Sequence, residues 1–194
     1  MAERLLDQMT RGLKTLDIQV GLSEPLTDYI NLLHKWNKPY NLTAVQRPED
    51  MIIKHILDSL TLVPYLSLSQ RLCDVGTGAG LPGIPLALSF PDKEFVLLDS
   101  NGKKTRFLHQ VRQQLKLTNV SIVEGRAGTY QPEQGFDVVM SRGFADLNRM
   151  CNLTAHLLDT EGVWLAMKSQ TVDTEIAELS TSVEISEQID LVVP

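Results

Sequence analysis

The stretch with the clearest chemical meaning is Asp74-Val75-Gly76-Thr77-Gly78-Ala79-Gly80-Leu81-Pro82-Gly83. Four glycines fall within eight residues, directly after the apolar run Arg71 to Val75, and Pro82 and Pro85 then open a helical segment. Glycines so placed let the backbone approach a ligand closely, and the amino end of the following helix can receive polar ligand groups. A turn that only joined a strand to a helix would not need so many. Asp74, Gly76, Thr77, Gly78, Gly80 and Leu81 are therefore candidate cofactor-binding residues. Gly78-x-Gly80-x-x-Gly83 also fits the dinucleotide fingerprint, with Asp99 lying 21 residues beyond Gly78, where a ribose-binding acid belongs. Asp99 can accept both ribose hydroxyls of either kind of cofactor. Asp74 tips the balance to S-adenosylmethionine, because a carboxylate just before Gly76 can serve an ammonium group but would repel a pyrophosphate. Gly83 is followed by Ile84, so the lysine of a P-loop is absent, and no tyrosine has a lysine four residues on, as a short-chain dehydrogenase would want.

Other nucleophile and metal chemistries find little support. Cys73 and Cys151 sit in apolar segments outside any C-x-x-C spacing and read as small core residues of a reducing compartment. The four histidines, at 34, 55, 109 and 156, make no ligand pattern, so no metal is expected. The chain carries a net charge of -6, but residues 1–128 hold 15 Lys/Arg against 13 Asp/Glu and residues 129–194 hold 3 against 11. The front is thus +2 and the rear -8, and a polyanion should approach the front. No run nears the roughly 20 apolar residues of a membrane span, and the amino terminus lacks a signal-like apolar stretch, which predicts a cytoplasmic protein.

The elements that must position these residues change character near residue 70. Before it the apolar period is helical: Leu5, Leu6, Met9, Leu13 and Leu16 form one stripe, and Leu26, Tyr29, Ile30, Leu33 and Asn37 a second, with Ser23 as expected cap. Pro48 starts a third helix through Met51, Ile52, His55 and Ile56. From residue 71, strands at 71–75, 94–98, 120–123, 136–140 and 162–167 alternate with helices at 82–90, 103–115, 146–158 and 172–179, and 183–193 could add a sixth strand. This predicts an α/β, Rossmann-like sheet, mostly parallel, in residues 71–194 behind a helical section of residues 1–70, with ligands at the carboxyl ends of the strands. Arg126, Arg142 and Lys168 fall at the ends of the third, fourth and fifth strands and are candidates to meet a nucleic-acid substrate. Lys35 and Lys38, beside Trp36, Asn37 and Asn41, are further candidates for RNA contact, although Trp36 also suits a core and the asparagines a turn. His55 and Asp58, three apart, could pair and brace the glycine loop.

From about Leu26 onward the chain resembles the ribosomal RNA small-subunit methyltransferase G family, also called glucose-inhibited division protein B. The resemblance rests on His34-Lys35-Trp36-Asn37-Lys38 with Tyr40-Asn41-Leu42-Thr43, on His55-Ile56-Leu57-Asp58-Ser59, and on the block Asp74 to Pro85. Leu97-Leu98-Asp99-Ser100, Lys103, Arg106-Phe107-Leu108, Arg126-Ala127 and Ser141-Arg142 continue it in order. The resemblance implies a class I S-adenosylmethionine-dependent methyltransferase that modifies N-7 of a guanine in 16S ribosomal RNA or the small subunit; the residues themselves do not state an oligomeric state, and a monomer is the expectation. It also implies that Gly76, Leu81, Ala127, Gly128 and Arg142 surround the cofactor. Gly128 stands where the family commonly has Glu, Gly143 where it has Ala, and Ser169 where it has Gly. The family's sheet closes with one more strand after a proline-containing turn, whereas this chain ends at Val193-Pro194, so that last strand is expected to be missing.

Such a reaction suits the residues present. N-7 of guanine carries an in-plane lone pair and no proton, so no general base is needed and Arg142 is expected to position substrate rather than to move protons. The competing readings are a methyltransferase for a small molecule or protein, which the acidic charge favours, and a non-catalytic RNA-binding module with a vestigial cofactor fold, which Gly128 favours.

Overall fold

The computed structural model describes residues 2–168 and 172–194; the expectation at Ser169 lies outside them. Five strands, β1 (Arg71–Val75), β2 (Glu94–Asp99), β3 (Val120–Glu124), β4 (Phe136–Arg142) and β5 (Leu158–Met167), form one sheet in the order β3-β2-β1-β4-β5. All four pairings are parallel. Parallel strands need crossovers, and the intervening helices cover both faces, so the strands read as apolar runs. Leu72, Phe95, Leu97, Val138 and Met140 point to one face, and Cys73, Val75, Val96, Leu98 and Val139 to the other. The order turns back at β1, between β2 and β4, which makes the carboxyl ends of those strands the place for ligands.

The helical front does not stand apart from this sheet. Helices α1 (Ala2–Thr15) and α2 (Ser23–Tyr40), then α3 (Pro48–Met51), a π-helical turn (Ile52–Leu57) and α4 (Asp58–Leu60), lead to β1. Leu5, Met9 and Leu13 of α1 and Leu26, Ile30 and Leu33 of α2 share one continuous core with the sheet. That core also takes in α5 (Gly83–Ser89) and α6 (Gly102–Gln114), while α7 (Leu147–Thr154) covers the opposite face through Met150. Trp36 belongs to this packing: its ring lies 5.7 Å from that of Phe107 on α6. Phe107 is fully buried, a burial worth roughly 1.5–3 kcal/mol.

Several local expectations need correction. Ser23 is the first residue of α2, not its cap; its hydroxyl oxygen instead accepts from Thr10. The helix expected over 146–158 ends at Thr154, a 3-10 turn follows (Ala155–Leu157), and β5 begins four residues early, at Leu158. Close backbone approach allows this, since a Cβ at Gly162 would meet Phe136 O at 2.5 Å and one at Gly135 would meet Asp159 N at 2.7 Å. The last described helix is α8 (Val172–Ala177). Residues 183–193 add no strand: Asp190, Leu191 and Val192 flank a cleft of about 270 Å3 with Leu16, Leu60 and Tyr65 of the helical section. Val193 packs there against the core, so the apolar run finds helical surface in place of a backbone partner. Cys73 and Cys151 are free and buried. Among the described residues no helix is long and apolar enough to cross a membrane, and no group of three or more His, Cys, Asp or Glu is arranged to hold a metal.

Candidate active site

The carboxyl ends of β1, β2 and β4 gather the candidate residues. Asp74, the fourth residue of β1, is fully buried and pairs in register with Leu97 of β2 and Met140 of β4. Its Oδ2 accepts hydrogen bonds from Thr77 Oγ1 at 2.7 Å and from the Gly83 amide at 2.8 Å, closing the glycine loop on its own strand. Its Oδ1 is buried without a partner. A buried acceptor with no donor is rare in native proteins and marks a place where a donor is wanted. Burial pushes the Asp74 carboxyl up to about 6, against the opposing pull of the Thr77 and Gly83 hydrogen bonds and the Arg142 charge.

The loop itself runs along the end of β2. Gly76 and Thr77 donate their amides to Leu98 O at 2.8 and 3.2 Å, and Gly78 donates to Asp99 Oδ2 at 2.9 Å. Gly76 and Gly78 both have left-handed backbone, with φ of 67° and 63°, a region that L side chains rarely adopt. A Cβ on Gly76 would strike Phe144 at 2.5 Å, whereas one on Gly78 would find nothing closer than 3.9 Å. The outer side of Gly78 is thus open to a ligand. Asp99 closes β2, only 6 % exposed, with Oδ1 accepting from the Asn101 amide at 2.9 Å and Oδ2 facing Lys104 Nζ at 3.5 Å.

Arg142 is the last residue of β4 and reaches sideways to the π-helical turn. Its Nη1 donates to Asp58 Oδ2 at 2.7 Å and to Lys54 O at 3.0 Å, and its Nη2 lies 3.4 Å from His55 Nδ1. His55 and Asp58 thus meet through the guanidinium and not through each other. Nδ1 also lies 3.0 Å from Lys54 O, a carbonyl that can only accept, so the imidazole proton sits on Nδ1 and Nε2 accepts from the Thr43 hydroxyl at 2.7 Å; the guanidinium is beside the ring without a hydrogen bond to it. Burial and the Arg142 charge both hold the His55 pKa below the ordinary imidazole range, so the ring is neutral at pH 7.

The other candidates lie around this group or outside it. Ala127 is buried in a 3-10 turn after β3, and Gly128 is exposed, its absent Cβ 3.2 Å from a Leu153 methyl. Leu81 is buried in the core. Arg126, Lys35 and Lys38 are exposed. Lys168 is engaged internally: Nζ donates to Ala145 O at 2.6 Å and pairs with Glu175 at 2.6 Å, and Glu175 also accepts the Leu147 amide. Asn37 and Asn41 serve the backbone, Asn37 by accepting from the Thr43 amide and Asn41 as a left-handed helix cap.

Residues 22–194 match the family described as rRNA small subunit methyltransferase G. The relative of that name from Psychromonas ingrahamii is 49 % identical over 192 residues, covering 99 % of this chain and 90 % of its own. Those from Hydrogenovibrio crunogenus and Pseudomonas aeruginosa are 53 % and 45 % identical, over 87 % and 97 % of this chain and 78 % and 89 % of theirs. The chain belongs to the rRNA small subunit methyltransferase G family. Its fold is similar to that of a putative caffeoyl-CoA O-methyltransferase from Staphylococcus aureus, with a TM-score of 0.52, 15 % identity and 77 % of each chain covered. It is also similar to a precorrin-6y C5,15-methyltransferase from Geobacter metallireducens, with a TM-score of 0.51, 21 % identity and 62 % and 66 % of the chains covered.

The glycine loop is also held by a residue that helical periodicity marks only as part of an apolar stripe. Tyr29, fully buried on α2, donates its hydroxyl proton to Ala79 O at 2.7 Å, and burial raises its pKa far above the ordinary phenol range. The partner lies 50 residues away, so periodicity alone could not reveal it. Phe144, stacked against Gly76, escapes the sequence for the same reason. Tyr29→Phe should leave the Ala79 carbonyl without its donor and cost about 1–2 kcal/mol of stability, read as a lower urea midpoint. An unchanged midpoint would show that the bond does not hold the loop.

Proposed function

We propose that the chain transfers a methyl group from S-adenosylmethionine to N-7 of a guanine in 16S ribosomal RNA, in the cytoplasm. The observation that carries the cofactor half of this reading is the buried Oδ1 of Asp74, which has no partner among the described residues, on the strand that feeds the glycine loop. When bound, S-adenosylmethionine supplies an electrophilic methyl group. Asp74 would receive the ammonium through Oδ1 and Asp99 the ribose hydroxyls, with Thr77, Gly80 and Leu81 shaping the loop between them. Ala127 and Gly128, after β3, would line the purine through backbone groups, because Gly128 brings no side chain.

The substrate half rests on the family and on what the reaction does not require. N-7 of guanine is already a nucleophile, and among the described residues at this edge His55 is tied to Lys54 O and Thr43, while Asp74 gives one oxygen to the loop and keeps the other for the cofactor. Rate then comes from placement, for which effective molarities are worth roughly 7–11 kcal/mol. Arg142 would orient the guanine or an adjoining phosphate, its planar fork steadied by Asp58 and Lys54 O. Arg126, Lys35 and Lys38 would hold phosphates. Lys168, tied to Ala145 O and Glu175, would act by fixing the loop after β4 unless RNA displaces that pair.

Methyl transfer from labelled donor to intact small subunits, compared with naked ribosomal RNA and with a mixture of small molecules and proteins, tests the proposal. Label in 16S RNA is expected. Label only in protein or small molecules would replace this reading with the corresponding methyltransferase, and label nowhere would leave a non-catalytic binding module.

A further inference from the structure

The exposed face of α6 carries an uncompensated positive charge for which the site so far described has no use. From Ser100 to Val123 there is no Asp or Glu, in a chain with 24 of them among 194 residues. Over the same stretch lie Lys103, Lys104, Arg106, His109, Arg112 and Lys116. Thr105, Phe107, Leu108 and Val111 turn the other face of the helix into the core, which leaves Lys103, Arg106, His109, Arg112 and Lys116 exposed. Lys104 is spent on Asp99. Among the described residues none of Lys103, Arg106, Arg112 and Lys116 makes an ion pair; Arg106 and Arg112 use only Nε, on Gly102 O and Leu117 O, and keep their outer nitrogens. Glu124, at the end of β3, accepts a hydrogen bond from the Thr105 hydroxyl at 2.8 Å and makes no ion pair among the described residues. Like charges three and four residues apart on a helix repel one another, a cost that a polyanion on this face would remove.

Placement favours a nucleic acid over a merely solvated surface. The helix begins three residues after Asp99, Lys104 Nζ lies 3.9 Å from where a Cβ on Gly78 would stand, and Leu108 at mid-helix packs under Gly80, so its amino-terminal half adjoins the cofactor loop. From there the 13 residues of the helix carry Lys103, Arg106, His109 and Arg112 along roughly 20 Å, with Lys116 just beyond its end. At the far end His109, Arg112, Gln113, Lys116 and Thr118 line an open cleft of about 460 Å3. A basic ladder that leads away from a methyl-transfer site, on a chain whose rear is strongly acidic, is the electrostatic footprint of a backbone-holding surface.

We infer that this face of α6 is where small-subunit ribosomal RNA is held by its phosphates while one guanine is presented at the site, an inference that rests on the RNA methylation reading. The test replaces Lys103, Arg106, Arg112 and Lys116 together by Gln, leaving Lys104 in place. A control carries Arg4→Gln and Lys14→Gln on the exposed side of α1. Binding of purified 16S RNA and its steady-state methylation are measured at several salt concentrations, together with S-adenosylmethionine affinity. The α6 variant should show at least a tenfold rise in KM for RNA, with kcat within about twofold and cofactor affinity unchanged. The slope of log affinity against log salt should fall by about 3, near 0.7–0.9 for each phosphate that is no longer neutralised. The control should match the unaltered protein. An α6 variant that keeps the original KM and salt slope, or that loses kcat instead, overturns the inference while RNA methylation stands. If the unaltered protein neither binds nor methylates the RNA, the functional reading fails and the α6 surface falls with it.

Discussion

Asp74→Asn is expected to weaken S-adenosylmethionine binding about 30–100-fold, or roughly 2–3 kcal/mol, the range of a hydrogen bond between charged groups. The amide keeps the size of the carboxylate, and its carbonyl can still accept from Thr77 and Gly83. The NH2 would take the place of the unpartnered Oδ1 and present a donor to an ammonium that is itself a donor. Folding should not suffer. The Asp74 carboxyl is raised from 3.8 to about 6, so in the ligand-free protein this group favours the fold below about pH 4. That contribution is lost as pH rises through about 6, a difference of about 3 kcal/mol. The Asn variant should lack this fall. A cationic ligand draws the carboxyl back to its charged form, so affinity in the unaltered protein should drop about tenfold per pH unit below about 6 and be flat in the variant. Calorimetric titrations between pH 5 and 8, with urea unfolding over the same range, measure both. Equal affinities for the two proteins at pH 7.5 would remove Asp74 from the cofactor site.

Arg142→Ala should lower methylation of small-subunit RNA at least tenfold, equivalent to about 1.4 kcal/mol in the barrier. Arg142 pairs with Asp58 with 21 % and 28 % of the two side chains exposed, between an exposed pair worth about 0–1 kcal/mol and a buried one whose breaking costs about 3–5 kcal/mol. The thermal midpoint of the variant should therefore fall, and fall equally in Asp58→Ala, which breaks the same pair. Asp58→Ala leaves the guanidinium present, with Lys54 O and His55 still beside it. If Arg142 orients the guanine, Asp58→Ala should retain most of the turnover that Arg142→Ala loses, and Arg142→Lys should recover little, because an ammonium lacks the planar fork. Equal loss of kcat in the Asp58 and Arg142 variants, in step with their melting, would make the arginine a brace for the π-helical turn and nothing more.

The parts of this arrangement differ in how plainly the chain states them. Strands β1, β2 and β4 read as apolar runs because both faces of a parallel sheet are covered there, and their carboxyl ends, near which Asp74, Asp99 and Arg142 stand, follow directly. The early start of β5 is hidden, since Leu158 to Gly162 reads as polar connection and pairs only through the close approach that Gly135 and Gly162 allow. The π-helical turn at Ile52–Leu57 has no period of its own in the sequence. It brings both His55 and Asp58 to Arg142, where helical spacing suggests a pair of their own. Tyr29 and Phe144 reach the glycine loop through packing between distant segments. Lys168 reads as a free cation at a strand end, and its partner Glu175 belongs to a helix that the sequence places without a contact.

The central claim concerns one atom of one base, and the chemistry of that atom offers the most direct measurement. Methylation at N-7 puts a positive charge on the guanine ring and makes it open to borohydride reduction, after which aniline cuts the RNA chain at that nucleotide. Small subunits treated with the protein and S-adenosylmethionine, then reduced and cleaved, should yield 16S RNA cut at a single guanine, and none without the methyl donor. Labelled 16S RNA that resists cleavage, with the label recovered in any nucleoside other than 7-methylguanosine, would contradict the account.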